Sequence, residues 1–83
     1  MEKMKGFRAD RLKKAMKENE ATIADIVKEM LGEQEGYLSK RYSHRFQNII
    51  DDLGFPSIIE LRAICKAVNV SADYLLGLSD EMY

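Results

Sequence analysis

The polar side chains with the clearest chemical potential lie between residues 39 and 48. Lys40, Arg41, His44, Gln47 and Asn48 recur at helical spacing, so one helix would carry them on one side. Lysine and arginine donate hydrogen bonds to guanine, asparagine and glutamine pair with two atoms of adenine, and histidine adapts to several partners. Such a set on one helix is typical of a surface that contacts base edges in the major groove. The alternative is the ordinary solvated face of a surface helix.

The charge pattern around this segment favours contact with phosphate. The net charge of the chain is -1, but residues 1–17 sum to +5, residues 18–36 to -5, residues 37–50 to +3 and residues 51–83 to -4. Two basic segments could fold onto one face, and the local field attracts phosphate more than the net charge does. Asp51 and Asp52 follow the segment and would repel phosphate. The sequence therefore predicts that the N-terminal half of the helix makes the contacts.

Other chemistry finds no support in the residue types. Cys65 is the only cysteine, and it lies at helical spacing from Leu61 and Ile64, which predicts a small buried hydrophobic residue. His44 is the only histidine, and no Cys/His cluster or phosphate-cradling glycine loop is present. We therefore expect no enzyme activity, no metal site, no cofactor and no small-molecule substrate.

The elements that must position these residues are predicted to be helices in a single domain over 1–83. No apolar run is long enough to span a bilayer and no signal peptide is evident, so we expect a cytoplasmic protein without a membrane partner. Apolar residues recur with helical rather than strand periodicity. The predicted class is all-α, with an N-terminal arm over 1–6, a short tail over 78–83 and five helices between them: 8–18, 22–31, 40–53, a fourth opened by Pro56 and Ser57 and closed by Asn69, and 72–76.

Capping residues set these predicted boundaries. Thr22 with Asp25, and Ser57 with Glu60, have the spacing of capping boxes, in which the first side chain and the fourth satisfy each other's backbone N–H groups. Ser39 is predicted to cap the third helix and Ser71 the fifth. Asn19 is predicted as a left-handed terminator of the first helix, and glycines at 32, 54 and 77 are predicted to stop the second, third and fifth.

The third helix has the clearest buried face. Tyr42, Phe46, Ile49, Ile50 and Leu53 recur at the spacing of one apolar stripe, opposite the polar side chains described above. Residues 33–38 are predicted to be the connector that precedes this helix.

Three segments resemble the Cro/repressor-like (XRE-type) helix-turn-helix family. RLKKAMKE over 11–18 looks like its first helix, and TIADIVKEMLG over 22–32 looks like its second. PSIIELRAICKAVNVSADYLLGLSD over 56–80 is similar to its last two helices along nearly the whole length. The resemblance covers about residues 8–80 and implies a compact five-helix, lambda-repressor-like DNA-binding domain.

The resemblance also implies which residues touch DNA. The family's base-contacting positions map onto Ser43, His44, Arg45, Gln47 and Asn48. Ile23 stands where the family often has a glutamine, so Thr22 would supply the phosphate contact at the start of the second helix. Ser39, Lys40 and Arg41 complete the predicted set. Lys40 and Arg41 either begin the third helix or lie in the loop before it, where they would touch phosphates.

The stretch between Gly32 and Pro56 is longer than is usual in the family. The extra length is predicted at residues 33–41, where it would extend the second or third helix or form a small wing. The fold class is thus an all-α domain with an extended connector between helices 2 and 3.

The leading hypothesis is a sequence-specific regulator of transcription, a repressor that binds double-stranded DNA through the helix over 40–53. The family commonly binds two half-sites as a dimer. For a homodimer the candidate residues are C-terminal: Tyr74, Leu75, Leu78, Met82 and Tyr83. The alternative is a protein-interaction module, an antitoxin or regulatory partner with weak DNA affinity, which the acidic segments over 18–36 and 51–83 would suit.

Overall fold

Five helices make up the regular structure of residues 6–32 and 37–83, the parts of the chain that the computed structural model describes. They are α1 (Ala9–Glu18), α2 (Ile23–Leu31), α3 (Tyr37–Ile50), α4 (Ile58–Val68) and α5 (Ala72–Leu75), and those residues contain no strand. The predicted all-α, five-helix class is confirmed. In the same residues no helix has both the length and the apolar character required to cross a membrane.

The helix starts follow the predicted caps. The Thr22 hydroxyl accepts a hydrogen bond from the Asp25 N–H, and the Asp25 carboxylate accepts one from the Thr22 N–H (2.9 Å). Ser57 and Glu60 form the same reciprocal pair at the start of α4. Both capping boxes are confirmed, because a cap depends only on residues three apart in the chain.

Two of the predicted helix ends differ from the structure. Asn19 has φ -98°, and the left-handed residue after α1 is Glu20, with φ 55°. After α3 the left-handed residue is Asp52 (φ 64°), and the N–H of Leu53 donates to the carbonyl of Asn48 across the turn (2.8 Å). The prediction that Gly54 stops α3 is therefore wrong: the chain has already turned at Asp52, whose short polar side chain tolerates this conformation.

The third helix also begins earlier than predicted. Because α3 starts at Tyr37, Ser39 lies inside its first turn and is not its N-cap. Lys40 and Arg41 lie in the helix and not in a preceding loop. Part of the extra length therefore extends α3 at its N-terminus, and the rest of the predicted connector, 33–36, lies outside the described residues. Leu53, predicted on the buried stripe, follows the helix and is 72% exposed.

The core lies where α2 packs against both α3 and α4, and α1 closes it against α3 and α5. Aromatic and aliphatic side chains from all five helices fill it. Seven large side chains are fully buried: Phe46, Leu12, Ile26, Ile49, Ile64, Leu75 and Val68. On α3 this fixes which side faces inward and therefore which side faces solvent.

The C-terminal tail folds back onto α1. The Arg11 guanidinium donates to the carbonyls of Tyr74 (2.9 Å) and Ser79 (2.7 Å) and to the carboxylate of Asp80 (2.8 Å). The Tyr83 hydroxyl donates to the side chain of Asn19. Two of the predicted self-association residues, Tyr74 and Leu75, are buried inside the domain. That prediction is wrong for both, because their side chains form part of the chain's own core.

Candidate nucleic-acid interface

One side of α3 is polar and open to solvent. Lys40, Arg41, His44 and Gln47 are exposed, and Asn48 is half-buried at the edge. We call these five residues the polar face of α3. It lies opposite Phe46, Ile49 and Ile50, which are buried. From residue 40 to residue 47 the helix rises about 10 Å, at ~1.5 Å per residue, which is close to the rise of three base pairs.

The two serines of the predicted set flank this face. Ser39 and Ser43 are half-buried and lie toward the core side of α3. Their hydroxyls therefore lie at the border of the polar face and not at its centre.

Arg45 connects α3 to α4. Its Nε donates to Oε2 of Glu60 (3.0 Å), and its Nη2 donates to Oε1 of Glu60 (2.8 Å) and to the carbonyl of Phe55 (2.7 Å). The side chain of Glu60 is 10% exposed and that of Arg45 is 39% exposed. The predicted base-contacting guanidinium is thus engaged within the protein, and the structure gives Arg45 a role in positioning α3.

The charges of this pair stabilise each other. The hydrogen bonds from Arg45 lower the pKa of the Glu60 carboxyl, and they outweigh the burial of that carboxyl, which acts in the opposite direction. The hydrogen bond to Glu60 in turn raises the pKa of Arg45. Both groups are therefore charged at neutral pH, and the positive charge of Arg45 is largely offset for any approaching phosphate.

Gln47 has one intramolecular partner. Its Nε2 lies 3.2 Å from each oxygen of the Asp51 carboxylate, one helical turn further along α3. Both side chains are exposed, and such a pair contributes only about 0.2–0.5 kcal/mol in water. A base edge can replace this contact at little cost.

Thr22 is less available than the sequence predicted. Its hydroxyl accepts from the Asp25 N–H (3.3 Å) and donates to the Asp25 carboxylate (3.2 Å). The hydroxyl is thus used by the capping box and lies beside a negative charge that repels phosphate. We leave Thr22 out of the proposed contacts for this reason.

The electrostatic character of α3 changes along its length. Lys40 and Arg41 lie in its first two turns, and no acidic residue lies within Tyr37–Ile50. Asp51 and Asp52 follow its C-terminal end, where they line a shallow cleft with Lys13 of α1. The N-terminal half of α3 is therefore the part that suits an anionic ligand.

No alternative chemistry emerges from the described residues. They contain no group of three or more His, Cys, Asp or Glu side chains arranged to hold a metal ion. Cys65 is half-buried, and burial raises the pKa of its thiol, which keeps it in the unreactive protonated form.

Two structural features were missed by reasoning from the sequence. One is the second role of Glu60, which caps α4 and also binds Arg45. The other is a set of exposed apolar side chains at Leu53, Phe55, Ile58 and Ile59. A helical projection of α4 could have indicated part of the second feature, since Ile58 and Ile59 fall on the side of the helix opposite Ile64.

Comparison of the chain with protein-family models, with curated proteins and with solved structures finds no match.

Proposed function

We propose that this protein binds double-stranded DNA with α3 in the major groove and acts as a sequence-specific regulator of transcription, a repressor. The observation that supports this proposal is the polar face of α3. Five neighbouring side chains that hydrogen-bond well to bases and phosphates lie on one side of a helix that contains no acidic residue. A helix of about 10–12 Å diameter fits a groove about 12 Å wide.

The positions on α3 suggest a division of roles. His44 and Gln47 are exposed near the middle of the face, so they would contact base edges, and glutamine is suited to adenine. Asn48 lies at the edge and would contact a base in the same way. Lys40 lies nearest the N-terminal end and would bind phosphate, and Arg41 beside it would bind phosphate or guanine.

The first test is selection of bound sequences from a random duplex pool with the full chain, followed by affinity measurements at several salt concentrations. We expect one preferred sequence and a steep fall of affinity with salt, because several phosphates would be neutralised. No enrichment, together with weak binding that barely changes with salt, would contradict the proposal and favour the protein-interaction alternative.

Two substitutions then separate base contact from phosphate contact. Gln47→Ala should cost about 1–3 kcal/mol on the preferred sequence and relax the preference at one base pair. Lys40→Ala should weaken binding to all sequences alike and reduce the salt slope by about one. Lys28→Ala, which removes the same charge from an exposed position on α2, is the matched control and should leave both quantities unchanged. The proposed orientation of α3 is wrong if Lys28→Ala has the larger effect.

A further inference from the structure

A partly enclosed cleft lies between the N-terminal half of α3 and the start of α4. Its lining residues are Leu38, Arg41, Tyr42 and Arg45 from α3 and Glu60 from α4. The four α3 residues have the spacing i, i+3, i+4 and i+7, which places them on one side of the helix. The cleft has a volume of about 320 Å³, and sites for small molecules commonly have roughly 300–1,000 Å³. The cleft is therefore large enough for a small ligand.

The aromatic wall of the cleft is held in place and carries an unused polar group. Tyr42 is half-buried, and its ring packs against the buried ring of Phe46, with the two centroids 6.3 Å apart. The Tyr42 hydroxyl has no hydrogen-bond partner among the described residues, and it is not sealed from solvent. It can therefore donate a hydrogen bond to a ligand without giving up an existing contact.

The guanidinium of Arg45 is also fixed and only partly used. Its Nε and Nη2 donate to Glu60 and to the carbonyl of Phe55, whereas its Nη1 donates to no group in the described part of the chain. The N–H groups of Nη1 can therefore donate to an anion. Because Arg45 and Tyr42 are both held in place before a ligand arrives, little side-chain entropy is lost on binding.

Charge and apolar surface together define the class of ligand. Arg41 and Arg45 bring two positive charges to the cleft and Glu60 brings one negative charge, so the local field suits an anion with a single charge. Leu38 is 43% exposed, unlike the buried Ile49 of the same helix, and it offers an apolar surface at the cleft. A carboxylate attached to an aromatic ring matches both features.

We propose that this cleft binds a small aromatic carboxylate. The carboxylate accepts hydrogen bonds from the Tyr42 hydroxyl and from Nη1 of Arg45, and the ring packs against Leu38 and the aliphatic stem of Arg41. The residue types alone led us to expect no small-molecule substrate. The cleft could not be foreseen from them, because Glu60 lies on another helix, 15 residues after Arg45.

A bound ligand would also act on the proposed DNA contacts, and this part of the proposal rests on the proposed function. Arg41 belongs both to the polar face of α3 and to the cleft. A carboxylate beside Arg41 offsets positive charge that attracts phosphate, so the ligand lowers the affinity for DNA. The coupling is reciprocal, and DNA lowers the affinity for the ligand by the same factor.

The binding site is tested by an NMR titration of the full chain with benzoate, in the absence of DNA. We expect saturable shifts of the Leu38, Tyr42 and Arg45 resonances and a dissociation constant of about 0.1–1 mM. Benzamide keeps the ring without the charge, and acetate keeps the charge without the ring, so each should bind at least about tenfold more weakly. Benzamide that binds as tightly as benzoate, or the absence of saturable shifts with benzoate, overturns the proposal.

Two substitutions and a control locate the ligand. Tyr42→Phe removes the hydroxyl but keeps the ring that packs on Phe46, and it should weaken benzoate binding about five- to tenfold. Leu38→Asn should weaken it by a similar factor, because the ring loses its apolar contact. Leu53→Asn is the matched control, since Leu53 is 72% exposed and lies outside the cleft.

Circular dichroism checks that each of these variants retains the fold. The assignment of the site is wrong if Tyr42→Phe binds benzoate as tightly as the wild type, or if Leu53→Asn weakens binding as much as Leu38→Asn does.

The effect on DNA is measured separately, on the preferred duplex with a saturating concentration of benzoate. We expect a several-fold loss of duplex affinity relative to the same concentration of acetate, which corrects for ionic strength. An unchanged duplex affinity with benzoate bound overturns the coupling and leaves the site itself standing. A chain that binds no duplex contradicts the proposed function, whereas the titration without DNA decides the ligand site by itself.

Discussion

Glu60→Gln removes one negative charge from the link between α3 and α4 while keeping the shape of the side chain. The carboxylate of Glu60 accepts two hydrogen bonds from Arg45 and one from the Ser57 N–H (2.8 Å). A glutamine can still accept from the Ser57 N–H, so the cap of α4 is retained. The substitution therefore removes the charge of the pair and one of its two hydrogen bonds, because the glutamine NH2 cannot accept from the Arg45 Nε.

The expected magnitude follows from the exposure of the two partners. An exposed ion pair contributes about 0–1 kcal/mol, and breaking a fully buried one costs about 3–5 kcal/mol. This pair lies between these limits, because Glu60 is nearly buried and Arg45 is partly exposed. We expect Glu60→Gln to lower the free energy of unfolding by about 1–2 kcal/mol. For a domain of this size that corresponds to a fall in Tm of roughly 4–16 °C.

The effect should depend on pH in a defined direction. The hydrogen bonds from Arg45 hold the pKa of Glu60 below its ordinary value in the folded protein. A carboxyl whose pKa is lower in the folded state stabilises the fold above the unfolded-state pKa, about 4.3 for glutamate. That stabilisation is lost as the pH falls through the folded-state pKa. The difference in stability between the wild type and Glu60→Gln should thus be largest near pH 7 and shrink toward pH 3.

The assay is urea denaturation followed by circular dichroism in a double-mutant cycle with Arg45→Met. We expect a coupling energy of about 1–2 kcal/mol between the two sites at neutral pH. A coupling below ~0.5 kcal/mol would refute the reasoning, since the pair would then behave as an ordinary surface ion pair. A difference between wild type and Glu60→Gln that is the same at pH 7 and pH 3 would refute the assignment of that difference to charge.

Two further predictions concern the ends of α1, and urea denaturation measures both. Glu20→Gly should stabilise the domain by about 0.5–1 kcal/mol, because Glu20 has a left-handed backbone that glycine adopts without strain. Asn19→Gly should destabilise the domain, because the Asn19 amide donates a hydrogen bond to the carbonyl of Val68 (2.7 Å). A gain in stability from Asn19→Gly would contradict this account. Arg11→Met should cost about 2–3 kcal/mol, because two hydrogen bonds to the C-terminal tail and one to the carbonyl of Tyr74 in α5 are lost. Hydrogen exchange of the tail amides should rise in the same variant, and unchanged exchange would show that Arg11 does not hold the tail.

The sequence predicted the starts of α2 and α4 correctly, but it missed the start of α3 and the left-handed residues after α1 and α3. The caps at Thr22 and Ser57 were correct because a capping box is closed by residues three apart, whatever the rest of the chain does. The ends of α1 and α3 depend on tertiary packing, which determines how many residues remain helical before the chain turns. The left-handed position then fell on Glu20 and Asp52, although asparagine or glycine stood within two residues of each.

For the candidate site, the periodicity of the polar residues predicted correctly which side of α3 they share. The sequence did not predict which side chains bind each other. The spacing of Lys40, His44 and Gln47 predicted a shared side of α3, and the structure places all three on its exposed side. The engagement of Arg45 could not be predicted in this way, because its partner Glu60 lies 15 residues away on another helix. Helical periodicity predicts on which side of a helix a residue lies, but it does not predict which neighbouring element packs against that side.

The contact that withdraws Arg45 from base recognition also orients the residues that remain. The inner side of α3 is fixed by Phe46, Ile49 and Ile50, but an apolar stripe alone permits some rotation about the helix axis. The bond from Arg45 to α4 adds a directional constraint at the flank, and so sets the angle at which the polar face meets a ligand. Under the proposed function, Glu60→Gln has two opposed effects: it loosens the orientation of α3, and it exposes the charge of Arg45 to phosphate. Both act on all duplexes alike, so the preferred sequence should stay unchanged, whereas Gln47→Ala should change the preference itself. If Glu60→Gln instead alters the selected sequence while the salt slope stays the same, α3 is tilted in the groove by this link, and Arg45 must be counted among the residues that determine specificity.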